Sequence, residues 1–401
     1  MNGSVLVLNC GSSSIKFALF DAIEPLSRQA SWKGKVEGIG SDSPTYAESG
    51  TATRGIALDA QQPYHAALAL IREHVRARLG DTPLAAVAHR VVHGGSKYFA
   101  PVRVDANVLA DLRSYIPLAP LHQPFALEAI DEFLRSHPDL PQVACFDTAF
   151  HATLPDIEKL LPLPYDAWQR GLRRYGFHGL SYEYLSITLA ERHGERARGR
   201  TICAHLGSGA SLCGMRNLQS AATTMGFSAL DGLMMGTRCG ALDPGALLYL
   251  MEIEKLGVDE LADLLYHRSG LLGVSGVSSD PTVLLPKEDS NERVHLALAL
   301  YVRRIVREVG AIAAVLGGLD MLVFTAGIGE HNAVLRERIC GALDWLGIEL
   351  DPERNAENAA TISASGSRVL VAVEPTNEEW VAAKHCVGTL SNRKYALSTP
   401  S

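Results

Sequence analysis

Two distant segments of the chain share one plan: VLVLNCGSSSIKFALF, from Val5 to Phe20, and TICAHLGSGASLCGM, from Thr201 to Met215. Each opens with an apolar run, places a polar residue near its end (Asn9 in one, His205 in the other), turns through glycine and serine, and closes with a second apolar run. Short apolar runs bounded by turn residues read as buried strands. A strand–turn–strand unit that occurs twice points to a duplicated fold with one phosphate-facing hairpin in each half. The competing reading is a pair of unrelated turns, because Gly/Ser turns are common between strands.

The rest of the chain alternates strand and helix signals, which sets the fold class as α/β. Val294, Leu298, Val302, Ile305, Val309 and Ile312 keep a helical spacing that Gly317 and Gly318 end, and the strand MLVFT follows directly before the glycine-rich AGIGE. Asp243 and Pro244 form a helix start, and a second start is expected at Ser181. The stretch from Gly226 to Gly245 has no clean period at its beginning and carries many glycines around Arg238. A long irregular segment this apolar reads as functional rather than disordered. At 401 residues two domains are expected, with a border near Phe150.

Composition narrows the classes. A net charge of −7 gives no reason to expect nucleic acid or an anionic membrane as partner. No apolar stretch is long enough to span a bilayer, and the start MNGSVLVLNC lacks the positive region and apolar length of a leader. The seven cysteines are odd in number and scattered, without a Cys-x-x-Cys pair, so a reducing cytoplasm is expected.

The chemistry-bearing residues sit at the ends of the apolar runs. Successive amides and hydroxyls from Cys10 to Ser14, with Lys16 close by, make either an anion cradle or an ordinary hairpin turn. No Walker A motif is present. Arg90, before the Gly94–Gly95 pair, offers a fork for a carboxylate or phosphate, or else a surface ion pair. His89 and His93 are four apart, but in a strand context that argues against metal binding. Asp147 follows an apolar strand, and His178 lies between an aromatic pair and a glycine. Several strand-end polar groups in one chain favour an active site over chance.

NCGSSSIK, HRVVHGG, PLAPLHQP, FDTAFH, YGFHG, MGFSALDGLMMGTRCG, FTAGIGE and PTNEE together resemble, in order, the signature segments of acetate kinases. The resemblance implies two related ribonuclease H-like domains of the actin and hexokinase type with a nucleotide cleft between them. Residues 1–149 with 384–401 would form the acyl and phosphate side, and 150–383 the nucleotide-binding domain. It implies reversible transfer of the γ-phosphoryl of ATP to acetate, or to propionate or another short-chain carboxylate, in a homodimer. Mg²⁺, with Mn²⁺ as the alternative, falls to Asn9 and Glu378. Ser12, Ser14 and Lys16 fall to the phosphate loop, with His122, His205, Gly207, Ser208, Gly209, Gly327, Gly329 and His331 on the nucleotide and its phosphates. Arg90, Arg238, Asp147 and His178 take the catalytic roles, Asp147 as an orienting group. Val92, Leu121, Phe177 and Ala229 form the acyl pocket with Arg90.

The match departs at four places: Ser208 and His331 stand where the family has asparagine, Ala229 where it has proline, and Ala241 where it has aspartate. Ser208 and His331 bear on nucleotide affinity, and the smaller Ala229 on acyl length. A non-catalytic ATPase of the same fold would not need Arg90, Arg238, Asp147 and His178 together.

Overall fold

The computed structural model describes residues 2–120 and 122–391. The chain forms two compact units: one runs to Ala149 and is taken up again at Asn377, the other is Phe150–Thr376.

The first unit is built on β1 (Ser4–Cys10), β2 (Ser14–Asp21), β3 (Trp32–Glu37), β4 (Thr45–Glu48), β5 (Arg54–Gly55), β6 (Leu84–Val91), β7 (Val102–Arg103) and β8 (Gln142–Phe146), in the order β5-β4-β3-β2-β1-β6-β8-β7. β1 is antiparallel to β2 and parallel to β6, and β6 is parallel to β8. Side chains alternate across a strand, so Leu6, Leu8 and Cys10 join Ile15, Phe17 and Leu19 in a core with Leu68, Ile71 and Val75 of helix Pro63–Leu79 and Phe133 of helix Gln123–Ser136. Val5, Val7, Ala18 and Phe20 between them are buried too, and helix Glu378–Leu390 packs on β1, β6 and β8. Burial on both faces explains why β1 reads as a continuous apolar run. It also moves the return of the chain to this unit from the expected residue 384 to Asn377, because the whole C-terminal helix, Glu378 included, belongs to this sheet.

The second unit carries β9 (Thr201–Leu206), β10 (Ala210–Arg216), β11 (Gln219–Thr223), β12 (Met321–Thr325) and β13 (Leu370–Val373), ordered β11-β10-β9-β12-β13. Here too an antiparallel meander is extended by two parallel strands, as in the β3-β2-β1-β6-β8 portion of the first sheet. Tyr182, Leu185, Leu189, Cys203, Cys213, Met215, Met321 and Val323 share a core. Helix Glu292–Leu316 packs on β9, β10 and β11, capped by the Asn291 side chain at its start and by Gly317 in left-handed conformation at its end. It comes so close to β10 that a Cβ on Gly214 would lie 2.4 Å from Ile312.

The duplication extends to single positions. The last rungs of the two hairpins are Cys10↔Ile15 and Leu206↔Ala210, so the rungs behind them, Asn9↔Lys16 and His205↔Ser211, are equivalent. On the other side Asn9 pairs with Arg90 and His205 with Thr325.

One local reading changes. The helix of YGFHGLSYEYL spans Gly179–His193, starting ahead of Ser181, with His178 as its left-handed N-cap. AGIGE forms a helical turn, Ala326–His331, in which the Glu330 carboxylate accepts from the Ala326 N–H at 2.8 Å.

Candidate active site

In the first unit, pairing across β2, β1 and β6 sets Lys16, Asn9 and Arg90 in one row. The partly buried Arg90 guanidinium is held by two carboxylates. Its Nε and Nη2 donate to Asp147 at 2.9 and 2.7 Å, and its Nη1 donates to Glu378 Oε2 at 2.8 Å. Asp147 is fixed in turn because its backbone N–H continues the β6–β8 ladder to the Val91 carbonyl. Burial lowers the Arg90 pKa, but Asp147 and Glu378 outweigh it and hold the guanidinium above its ordinary range.

Glu378 is the perturbed group of this set. Burial pushes its carboxyl up from 4.5 to about 7 against the pull of Arg90, and Asp147 and Glu379 add to the rise. Glu378 Oε1 is buried without a hydrogen-bond donor, and the Asn9 side-chain amide makes no hydrogen bond to another described residue. A bare carboxylate oxygen and an amide oxygen are the donors a hard divalent cation takes, so the residues fit the expected metal.

The Gly11 N–H donates to the Ser14 carbonyl at 2.8 Å, and Gly207 donates to Gly209 at 3.0 Å in the second hairpin. Among the described residues the N–H groups of Ser12 and Ser13, and of Ser208 and Gly209, find no acceptor. Consecutive free amides in a tight turn make an anion-binding concavity, and here each hairpin has one. Ser12 and Lys16 are exposed and Ser14 is partly so.

In the second unit the Gly209 α-carbon is the point of convergence. A Cβ there would lie 3.3 Å from His178 Nε2 and 3.5 Å from Arg238 Nη1, so both groups face the turn. Arg238 Nη1 donates to the Ala229 carbonyl at 3.2 Å, and among the described residues the guanidinium has no carboxylate partner. Burial lowers its pKa, with Tyr266 acting against that. A partly buried, uncompensated cation beside free amides calls for an anion. The His178 ring stacks on His205 with centroids 4.1 Å apart; His178 Nδ1 meets Ser211 Oγ at 2.8 Å and His205 Nδ1 meets Ser181 Oγ at 2.9 Å.

The remaining expected residues are spread around these sets. Phe177 is buried, and its carbonyl accepts from His151 Nε2 at 2.9 Å. Val92, two residues after Arg90, is partly buried, and His122 stands at the N-cap of helix Gln123–Ser136. Leu121 lies outside the described residues. Gly327, Gly329 and His331 ride on the Ala326–His331 turn, whose Ala326 methyl is 3.6 Å from where a Cβ on Gly207 would be. Gly327 and His331 are exposed. His89 is a core residue, its Nε2 bonded to Gln142 at 2.7 Å and its pKa pushed down to about 4 by burial.

Sequence reasoning missed Arg336, a buried guanidinium that donates to the Gly329 carbonyl at 2.8 Å, the Glu330 carbonyl at 2.9 Å and the Asn355 and Asn358 side chains. It ties down the Ala326–His331 turn. Its only sequence signal is an arginine on an otherwise buried helix face, beside Leu335, Ile339 and Cys340. Arg174 escaped notice likewise; it donates to the carbonyls of Thr223, Thr224 and Met225 and anchors the start of the irregular segment.

Solved structures share this architecture along nearly the whole chain. Acetate kinase from Porphyromonas gingivalis superposes with a TM-score of 0.86 at 37% identity, covering 97% of this chain and all of its own. Propionate kinase from Francisella tularensis gives 0.88 at 33% identity, covering 96% and 98%. With two sheets of one topology and an arginine-centred site on each, the fold is that of the actin- and hexokinase-like phosphotransferases. The model of the Acetokinase family matches residues 4–384, and acetate kinase from Rhodopseudomonas palustris is 47% identical over 392 residues, 96% of this chain and 98% of that one. The chain belongs to the acetokinase family.

Proposed function

We propose that the chain catalyses reversible transfer of the ATP γ-phosphoryl group to acetate, giving acetyl phosphate and ADP. A carboxylate oxygen of acetate attacks the γ-phosphorus in line as the bond to the ADP oxygen breaks. The observation that carries this reading is Arg238, an uncompensated guanidinium set beside His178 Nε2 over the free amides of the Ser208–Gly209 turn. Transfer to a carboxylate needs little base catalysis, since the nucleophile is already ionised, and depends on placement and charge neutralisation. Arg238 and His178 neutralise the equatorial oxygens and Arg90 orients the carboxylate, itself aimed by Asp147 and Glu378. Ser12, Ser14, Lys16, His205 and Ser208 hold the phosphates, and the Gly327 turn takes the adenosine. Asn9 and Glu378 would hold Mg²⁺, which would supply further charge neutralisation when bound.

A second reading, propionate as a good substrate, is favoured by Ala229, whose small side chain sits next to the carbonyl that fixes Arg238. One methylene changes discrimination by only about 1–3 kcal/mol. ATP-dependent acyl phosphate formation over formate, acetate, propionate and butyrate, trapped as hydroxamate, tests both readings; no product with any of them refutes the assignment.

The proposed homodimer draws support from helix Pro244–Glu252, which buries none of its side chains and with its flanks leaves Leu248, Tyr249, Ile253 and Val258 more than half exposed. Seven free cysteines suit a reducing cytoplasm, and no described helix is long and apolar enough to cross a membrane.

A further inference from the structure

His178 has backbone angles φ 59 and ψ 26, a left-handed conformation that costs a non-glycine residue energy and persists only when its surroundings hold it. Next to it is a chain of three polar groups. The Tyr182 hydroxyl lies 2.5 Å from Ser211 Oγ, and Ser211 Oγ lies 2.8 Å from His178 Nδ1. Tyr182 and Ser211 are fully buried, and burial keeps the phenol neutral by pushing its pKa well up.

A buried O–H proton needs an acceptor. Among the described residues, Ser211 Oγ is the one oxygen to which the Tyr182 hydroxyl is hydrogen-bonded. Tyr182 therefore donates to Ser211. The Ser211 proton is then left with one partner, His178 Nδ1, which must be the bare nitrogen of the ring. The ring's proton sits on Nε2, the atom that faces the Gly209 turn beside Arg238.

We propose that Tyr182 and Ser211 are positioning residues that fix the tautomer of His178, so that an N–H rather than a lone pair meets the transferring phosphoryl group. The inference rests on the reading of His178 as a donor to that group. No proton is transferred along the chain; it sets direction only. His178 is faced by His205 from β9, by Arg238 from the irregular segment and by Tyr182 from its own helix, with Ser211 on β10.

The direct test is a two-bond ¹H–¹⁵N correlation spectrum of the full chain labelled at histidine nitrogens, with His178 assigned through His178→Gln. The expected ring carries its proton on Nε2; a ring protonated on Nδ1 overturns the proposal without any variant of Tyr182. Tyr182→Phe keeps the buried ring and frees Ser211 to accept from Nδ1, so a mixture of tautomers is expected. Turnover should fall with the share of rings left protonated on Nε2, about twofold for an even mixture, against the hundredfold or more that complete loss of one such donor costs. A Tyr182→Phe ring still protonated wholly on Nε2, the sign of a merely structural role, refutes it. An Nε2-protonated ring in a chain that forms no acyl phosphate supports the tautomer assignment and counts only against the functional reading.

Discussion

Glu378→Gln is expected to make the metal-free protein more stable at high pH. The wild-type carboxyl is raised from 4.5 to about 7, first by burial and then by Asp147 and Glu379, with Arg90 unable to offset them. A group whose folded-state pKa lies above its unfolded value contributes stability below the unfolded value and loses it as pH rises through the folded one. The window therefore runs from about pH 4.5 to about 7. The full displacement corresponds to roughly 3 kcal/mol of cost carried by the ionised form. Glutamine imitates the protonated carboxyl and leaves the Arg90–Asp147 fork in place, so it removes that cost. Denaturant unfolding of both proteins in chelator should give equal stabilities near pH 4.5 and an advantage of about 3 kcal/mol for Glu378→Gln near pH 8. Wild type as stable as the variant at the upper pH would show that Arg90 already compensates the charge, and the reasoning would fall. The variant should be a poor catalyst, because the buried negative charge is what a divalent cation would bind.

Three further outcomes follow from the geometry. Arg90→Lys and Arg238→Lys should each lower turnover about a hundredfold or more in purified protein, since an ammonium cannot reproduce the fork on Asp147 and Glu378 or reach both Ala229 and the Gly209 turn; near-normal rates in both would undo the site. Arg336→Met should cost about 3 kcal/mol or more of stability by stranding the Gly329 and Glu330 carbonyls and Asn355, and should raise KM for ATP more than it changes kcat. Ala229→Pro should sharpen acetate over propionate in kcat/KM by up to about a hundredfold; an unchanged ratio would show that residue 229 does not border the acyl chain.

The sequence made the halves legible because strand burial leaves continuous apolar runs and tight turns leave Gly and Ser, and both hairpins have these marks. It showed which residues were polar at strand ends, and so picked out Asn9, Arg90, Asp147 and His205. It did not show the Arg90–Glu378 contact, because that pair is joined only when the C-terminal helix returns to the first sheet. The same long-range closure hid the start of that segment. The His178 helix was placed late because a left-handed histidine ahead of Gly179 has no sequence signature. Arg336 was hidden because three of its five hydrogen bonds go to main-chain carbonyls, those of Gly329, Glu330 and Asn355, which every sequence has.

The equivalent rungs of the two hairpins carry unlike chemistry. Lys16, Asn9 and Arg90 in the first sheet correspond to Ser211, His205 and Thr325 in the second. One backbone thus supports an ionised row and a row of hydroxyls flanking a histidine. The ionised row works through fields, which act over distance and weaken as electrolyte is added. The hydroxyl row works through bond direction, which acts only at contact and to which ionic strength is largely indifferent. A rise in salt should therefore weaken what Lys16 and Arg90 hold more than what the Ser211, His205 and Thr325 row holds, with Arg238, a cation outside that row, following the first, so that two copies of one design respond to the same solution as different instruments.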